Sequence, residues 1–429
     1  MSAATIPMTN PAKEARQPKP LPRPNSDFYE FAETLPSEEL AIVKKLRAYM
    51  ETRVQPIINK YWIEDSFPFE LLPSFKELNL AGLGMEGYGC PGGSPLLVGL
   101  VAMNIARTDT SFCTFYGVHS GLAMNSIYLV GTEEQKQKWL PPMARMEKIG
   151  CFALTEPLVG SGTGGGMTTT AKREGNTWIL NGQKRWIGNA PWCDISIVWA
   201  RDVADNQVKG FIVENKTTPG FSVEKIENKI ALKVVQNGQI TLTDCRVPDE
   251  NRLQGGKGTF RDTSLVLRGT RHGSAWEITG SQMGAYENAL KYAQERLQFG
   301  KPIGSFQLVQ ELLAKMLGNI VACQSMLVRS VQLETEGKLT DSQAALASVL
   351  HVQGARNGLV GPRAAGWQWH PRRLQRGAFL CRYRGDLLLR GYVSDADFDR
   401  RQSCNGVQCI RLRPHASRRH ISRADKPLL

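Results

Sequence analysis

The sequence predicts an α+β chain laid out as a helical domain, a small β domain and a second helical bundle. Three observations carry this. Residues 36 to 150 place apolar side chains at helical spacing, with caps and breakers between the runs. Residues 151 to 262 change to short β-type runs, TTTAKREG, TWILNG, ISIVWARD, VKGFIVEN and FSVEKIE, separated by Gly, Asn and Pro turns. From about Thr263 the helical period returns in SQMGAYENALKYAQERL and SFQLVQELLAKMLGNIVACQSMLVRSVQLETEG. The domain limits follow as 27–150, 151–262 and 263–352, with a disordered arm at 1–26 and a basic tail of different composition at 353–429. No internal repeat is visible.

Each element has a local reason. Ser37 caps a helix whose apolar positions are Leu40, Val43, Leu46, Met50 and Val54, and Pro56 marks its end or a kink. PLLVGLVAMNIAR, 95 to 107, is apolar almost all round and reads as a buried helix. Thr132 to Gln135 spell a capping box before KQKWL, and Pro141 and Pro142 stop that helix. The first 26 residues are rich in Pro, Lys and Arg and read as disordered.

Composition bounds the class. Apolar content of 41% and 22% charged residues fit an ordinary globular chain. No apolar run reaches the ~18 residues of a membrane span, and no secretory layout opens the chain. Nine scattered cysteines without CxxC spacing read as reduced thiols, and the six histidines lack metal spacing. His119, between apolar helical residues, reads as a packed histidine. The net charge of +13 points to nucleic acid only until it is located. Gly354 to Leu429 hold 16 basic and 5 acidic groups, leaving 37 basic and 35 acidic elsewhere. The rest of the chain is close to neutral, so no nucleic-acid partner is expected for it.

The chain is organised around CFALTEPLVGSGTGGGMTTTAKREGNTWILNGQKRWIGN, 151 to 189. Gly160, Gly162 and Gly164 to Gly166 let backbone approach a ligand closely. Thr155 and Ser161 offer donors to carbonyl-type acceptors. Trp186 follows a turn at Asn181 and Gly182 and is placed to cover a ring face. On chemistry alone two readings stand: a cradle for a flat, polar-edged cofactor, or a glycine-rich loop between strands.

The pattern Ala-Leu-Thr-Glu-Pro…Gly-Ser, followed by Gly-Gln-Lys-x-Trp-Ile-x-Asn, resembles the flavin signature of the acyl-CoA dehydrogenase and acyl-CoA oxidase superfamily. RLQFGKPIGSFQLVQELLAKM, 296 to 316, resembles its second signature. GYGCPG, SFPFELLP, NKIALKVVQNG and VPDENRL resemble the short-chain acyl-CoA oxidases of plant peroxisomes. The likeness runs from about Phe28 to about Leu346. It implies an acyl-CoA dehydrogenase-like fold with a β-barrel-like middle domain, FAD as cofactor, a short-chain acyl-CoA substrate, molecular oxygen as acceptor and a homo-oligomer.

By that resemblance Phe152, Leu154, Thr155, Gly160 and Ser161 line the flavin ring, completed by Trp186 and Gly188; as ordinary strand residues, Phe152 and Trp186 would simply be core. Arg296, Phe299 and Gln307 reach the FAD of a neighbouring subunit, Arg suiting phosphate through its planar fork. Ser161 and Arg271 meet the substrate, the latter in an atypical setting, RGTRHGSAW. The family usually carries Asp where Gly162 stands. No arginine stands at Phe112 and Cys113, where glutaryl-CoA enzymes keep one for a dicarboxylate, which implies a plain acyl chain. The implied reaction forms a trans-2-enoyl-CoA, with oxygen reduced to peroxide. A dehydrogenase passing electrons to a carrier protein remains open, as do an inactive flavin-binding product and an Arg-rich nucleic-acid binder.

The tail reads as out of frame. Gly366, Trp367, Gln368, Trp369, His370 and Pro371 fix the message as GGN TGG CAR TGG CAY CCN. One base later this gives Gly, Asn or Ser, Gly, then Ile or Thr, where the family has Gly-Gly-Asn-Gly-Ile. For LLLRGYV, 387 to 393, shifted likewise, allowed codons spell Tyr-Ser-Tyr-Glu-Gly-Thr, which matches the family's Tyr-Glu-Gly-Thr motif. The recovered Asn overlies Gln368 and the recovered Glu, the family's base, overlies Arg390. The frame change is expected upstream of Arg363, after Leu346. The chain ends Pro427, Leu428 and Leu429, unlike a peroxisomal tripeptide. The expectation is peroxisomal import of the in-frame product only.

Overall fold

The structure, a computed structural model, describes residues 25–160 and 162–354, without the side chains of Arg271 and residues 348–354. Arg390, residues 355–362 of the stretch in which the frame change is expected and residues 1–24 of the arm therefore lie outside the described residues.

The N-terminal region is helical, as its spacing predicts: α1 (Ser37–Tyr49), α2 (Ile58–Glu64), α3 (Leu72–Lys76), α4 (Pro95–Thr108), α5 (Thr110–Tyr116), α6 (Asn125–Val130) and α7 (Glu133–Ala144). A π-helical segment, Gly117–Met124, joins α5 to α6, and another, Met50–Val54, extends α1 toward Pro56. α4 is the buried helix expected from its apolar run, with Leu97, Leu100, Val101 and Ile105 inaccessible to solvent. Its cap is Ser94, whose hydroxyl accepts from the Leu97 N–H and donates to Glu39. The capping box at Thr132 and Gln135 forms as written.

Three local expectations are corrected. Ser37 is the first helical residue of α1, behind Pro36, and makes no side-chain cap. Pro141 and Pro142 lie inside the last turns of α7, because burial of Leu140 and Met143 outweighs their missing N–H groups. The arm ends earlier than residue 26: Ser26 is buried and donates to Glu287 at 2.6 Å, and Asp27 accepts from the Phe31 and Ala32 N–H groups.

The middle domain is one seven-stranded sheet: β1 (Gly150–Ala153), β2 (Thr170–Glu174), β3 (Thr177–Gly188), β4 (Ile195–Asp202), β5 (Val208–Glu214), β6 (Phe221–Lys225) and β7 (Asn237–Pro248), with a short turn of helix, α8 (Thr163–Gly166), after β1. Its order is β1-β4-β2-β3-β7-β6, with β5 on the other side of β4. The barrel-like expectation takes the form of an open half-barrel whose edge strands are β5 and β6. Asn181 and Gly182 do not form a turn. They lie within β3 at a register shift, Asn181 facing Thr170 of β2, and Gly182 has φ +144°. A Cβ there would stand 2.7 Å from Thr169 Cα, so the close approach requires glycine.

The C-terminal region opens with α9 (Phe260–Glu295), three residues earlier than the returning period suggests. A small hairpin of β8 (Leu297–Gln298) and β9 (Lys301–Pro302) leads into α10 (Gln307–Thr335) and α11 (Asp341–Gly354). α9 has 36 residues and so spans about 54 Å. α10 is long and apolar enough to cross a membrane by length and composition alone, which the search for unbroken apolar runs did not single out. It packs beside α9 through buried Leu313, Met316, Ile320 and Leu327 and is read as a bundle helix.

Candidate cofactor site

After β1 the chain continues extended through Leu154, Thr155 and Glu156, alongside the end of β3. Three bonds tie the segments. Lys184 Nζ donates to the Leu154 carbonyl at 3.1 Å, the Arg185 N–H donates to the Thr155 carbonyl at 2.9 Å, and Lys184 Nζ meets Glu156 Oε1 at 2.9 Å. The side chains of Glu156 and Lys184 are both 0% exposed. Glu156 also accepts from the Thr168 N–H and hydroxyl and from the Thr169 N–H, at 2.6 to 2.9 Å. Burial alone would raise the Glu156 carboxyl, but the Lys184 ammonium and the threonine donors hold it down to about 2. Burial pushes Lys184 down to about 8 against the pull of Glu156. Both groups are charged at neutral pH.

Trp186 follows with φ +64°, unusual for a bulky residue, at a register shift between β3 and β7. Its carbonyl accepts from Asn237 Nδ2 at 2.9 Å. Its indole is 45% exposed, with the Arg185 guanidinium 5.5 Å from the ring. Gly188 is buried under the π segment, where a Cβ would stand 3.2 Å from Val118. Asn189, also left-handed, donates to the Phe115 carbonyl at 3.1 Å. A half-exposed indole, the half-buried Thr155 and close backbone at Gly188 therefore form one wall, with donors on one edge and an aromatic face beside them. That set fits a flat ring with polar edges.

The structure thus gathers Leu154, Thr155, Trp186 and Gly188. Phe152 is buried in β1, its ring 6.0 Å from Trp199, and Gly160 is exposed in the loop beyond. Ser161 lies outside the described residues, and Arg271 is placed only as a residue of α9. Arg296, Phe299 and Gln307 are not part of this wall. They cluster at the far end of α9, around the β8–β9 hairpin, where Phe299 is 91% exposed. Along α9, Val118 falls near the level of Gly273, since Thr114 bonds Glu277 and a Cβ on Gly269 would meet Asn125. From there to Arg296 is about 35 Å along the helix. One protomer cannot bring both clusters onto the same ring.

His119 is the packed histidine its neighbours suggest. Its Nδ1 accepts the Gly150 N–H at 3.0 Å, so Nε2 carries the proton and donates to the Met143 carbonyl at 3.1 Å. Burial pushes its pKa down to about 4. Sequence reasoning missed Glu156 and Lys184, although each stands inside one half of the first signature. Their charge amid buried strand residues was the available signal.

Comparison with known proteins agrees with the layout. Three family models match: acyl-CoA dehydrogenase N-terminal domain at 36–147, middle domain at 151–245 and C-terminal domain at 256–370. The last match extends beyond the expected frame change. Acryloyl-CoA reductase (NADH) of Anaerotignum propionicum is 31% identical over 326 residues, covering 75% of this chain and 82% of that protein. A short-chain specific acyl-CoA dehydrogenase of Megasphaera elsdenii is 32% identical, covering 71% and 81%. Among solved structures, glutaryl-CoA dehydrogenase of Mycobacterium smegmatis superposes with a TM-score of 0.80 at 30% identity, covering 87% of this chain and 98% of that one. A glutaryl-CoA dehydrogenase structure from the same organism, in complex with FADH2, gives 0.74 at 30% identity, covering 85% and 96%. One described as electron transferring flavoprotein of Acidaminococcus fermentans gives 0.76 at 29% identity, covering 84% and 98%. These relatives favour the dehydrogenase alternative over an oxidase, and none of them supports oxygen as a partner or a peroxisomal setting.

Proposed function

The chain belongs to the acyl-CoA dehydrogenase family, and from that premise we propose that it is a scaffold for FAD-dependent dehydrogenation of an acyl-CoA, with electrons passed to a carrier protein. The observation that carries this is the wall formed by Leu154, Thr155, Trp186 and Gly188, held by the buried Glu156–Lys184 pair. Bound FAD would supply the acceptor for hydride leaving the substrate carbon next to the deprotonated one. Thr155 would donate to the ring's polar edge, and Trp186 would cover one face.

We place the acyl chain beside the π segment and α9, where three glycines leave space next to the backbone. Gly117, Gly121 and Gly273 have no atom within 4 Å of where a Cβ would stand. The Thr114–Glu277 bond at 2.7 Å closes one end of that stretch. Arg296, Phe299 and Gln307, being remote from their own protomer's wall, would serve the FAD of a second copy, which makes the functional unit a homo-oligomer.

Proton abstraction beside the thioester needs a base, and at the family's position this chain has Arg390, which cannot accept a proton. We propose that FAD binding belongs to the chain as written and that turnover belongs to the frame in which that position is glutamate. The test is an absorbance spectrum of the purified protein after incubation with FAD and removal of excess. Flavin bands at close to one per chain are expected; a folded, colourless protein overturns the reading.

A further inference from the structure

The backbone of Trp186 is held in the left-handed region from two sides by buried polar groups that no mechanism for the reaction requires. On one side Lys184, two residues before it, is fixed by Glu156 and by the Leu154 carbonyl, and Arg185 bonds back to Thr155. On the other side Asn237 Nδ2 donates to the Trp186 carbonyl at 2.9 Å. The orientation of that amide is itself set, because Lys229 Nζ donates to Asn237 Oδ1 at 2.8 Å. Lys229 donates further to the Leu232 and Val235 carbonyls and is 9% exposed. Two buried lysines therefore flank one strained residue.

A bulky side chain at φ +64° persists only where its surroundings over-determine it. A buried ion pair such as Glu156–Lys184 is a poor source of net stability, since desolvation offsets the attraction, but it specifies geometry. Without the bonds on either side, Trp186 would relax to an extended conformation in line with β3. Period-two alternation would then turn its indole across the strand.

We infer that Lys184 and Asn237 are positioning residues that clamp Trp186 in its left-handed conformation and so hold the indole against the flavin ring. Lys229 orients the Asn237 half of the clamp. The inference rests on the proposed FAD site, but its first readout does not need FAD.

Lys184→Met and Asn237→Ala are compared with the unaltered protein, each also with Trp186→Phe added. The difference spectrum between a protein and its Trp186→Phe counterpart isolates the emission of Trp186. The clamp predicts a shifted Trp186 emission maximum in both variants, with far-UV circular dichroism unchanged. FAD titration then gives affinity: each variant should raise Kd at least tenfold and alter the visible circular dichroism of the bound flavin. In a Trp186→Gly background, where left-handed backbone is free of strain and no ring remains, either change should alter Kd less than twofold.

Losses that multiply in that background would show a general structural role and overturn the clamp. So would unshifted emission in both folded variants. Should Lys184→Met fail to fold, Asn237→Ala decides the matter from the other side. If the unaltered protein takes up no FAD, the proposed function falls, while the emission measurement still decides whether the clamp exists.

Discussion

Trp276 lies directly over Gly99: a Cβ on Gly99 would stand 2.2 Å from the indole ring, so α4 and α9 meet there with no room for one more carbon. Gly280 makes the matching approach one turn along, where a Cβ would stand 2.1 Å from the Met103 carbonyl oxygen. This contact seats the C-terminal helices on the N-terminal domain. Gly99→Ala should cost about 1–3 kcal/mol by overpacking. Denaturant unfolding measures it, and a loss below the error of the extrapolation would mean that the helices adjust freely.

His119 makes stability depend on mild acid. Its folded pKa, about 4, lies below its ordinary value of 6.5, so the unfolded chain takes up the proton first. Its contribution is fully present above pH 6.5 and is lost as pH falls toward 4, by roughly 3 kcal/mol over that window. His119→Gln should be less stable at pH 7.5 but flatter between pH 6.5 and 4. Unfolding curves at three pH values for both proteins test this; parallel pH profiles would contradict it.

Phe299 is 91% exposed at the hairpin that also carries Arg296. If this end of α9 completes the cofactor site of a second copy, Phe299→Asp should lower both oligomer size and bound FAD while leaving the remote Thr155 wall folded. Light scattering coupled to flavin absorbance reads both quantities in one run. A monomer that keeps its full flavin content would refute the shared site.

If Arg390 stands in place of the base, as proposed, the chain as written should show no turnover of butyryl- or hexanoyl-CoA with an artificial electron acceptor, because loss of a general base costs ~10²–10⁴-fold or more. Shifting the downstream frame by one base should restore activity, and changing the recovered glutamate to glutamine should remove it again. Robust dye reduction by the unshifted chain would show that the base lies elsewhere.

Most of the fold was legible where local chemistry and tertiary structure agree. The capping box at Thr132, the apolar run of α4 and five of the strands needed no partner to be recognised. The turn read into Asn181 and Gly182 failed because two neighbouring strands, β2 and β7, pair through that position and use the glycine as a bulge. Pro141 and Pro142 failed as stops because packing of α7 overrides propensity. β7 was overlooked because its run holds Gly, Gln, Asp and Arg among its apolar residues. In the candidate site, Thr155 and Trp186 stood out as residue types, but Glu156 and Lys184 did not. They lie 28 residues apart, and only the sheet brings them together in a place without water.

Glu156 also ties down the loop after it. Its backbone exchanges hydrogen bonds with Val159, and its carboxylate takes both N–H groups of Thr168 and Thr169, so one residue joins the two ends of the segment between them. Entry and exit are thereby fixed whatever lies between. The stretch between is anchored at both ends through this one residue, so the strands on either side of it keep their register.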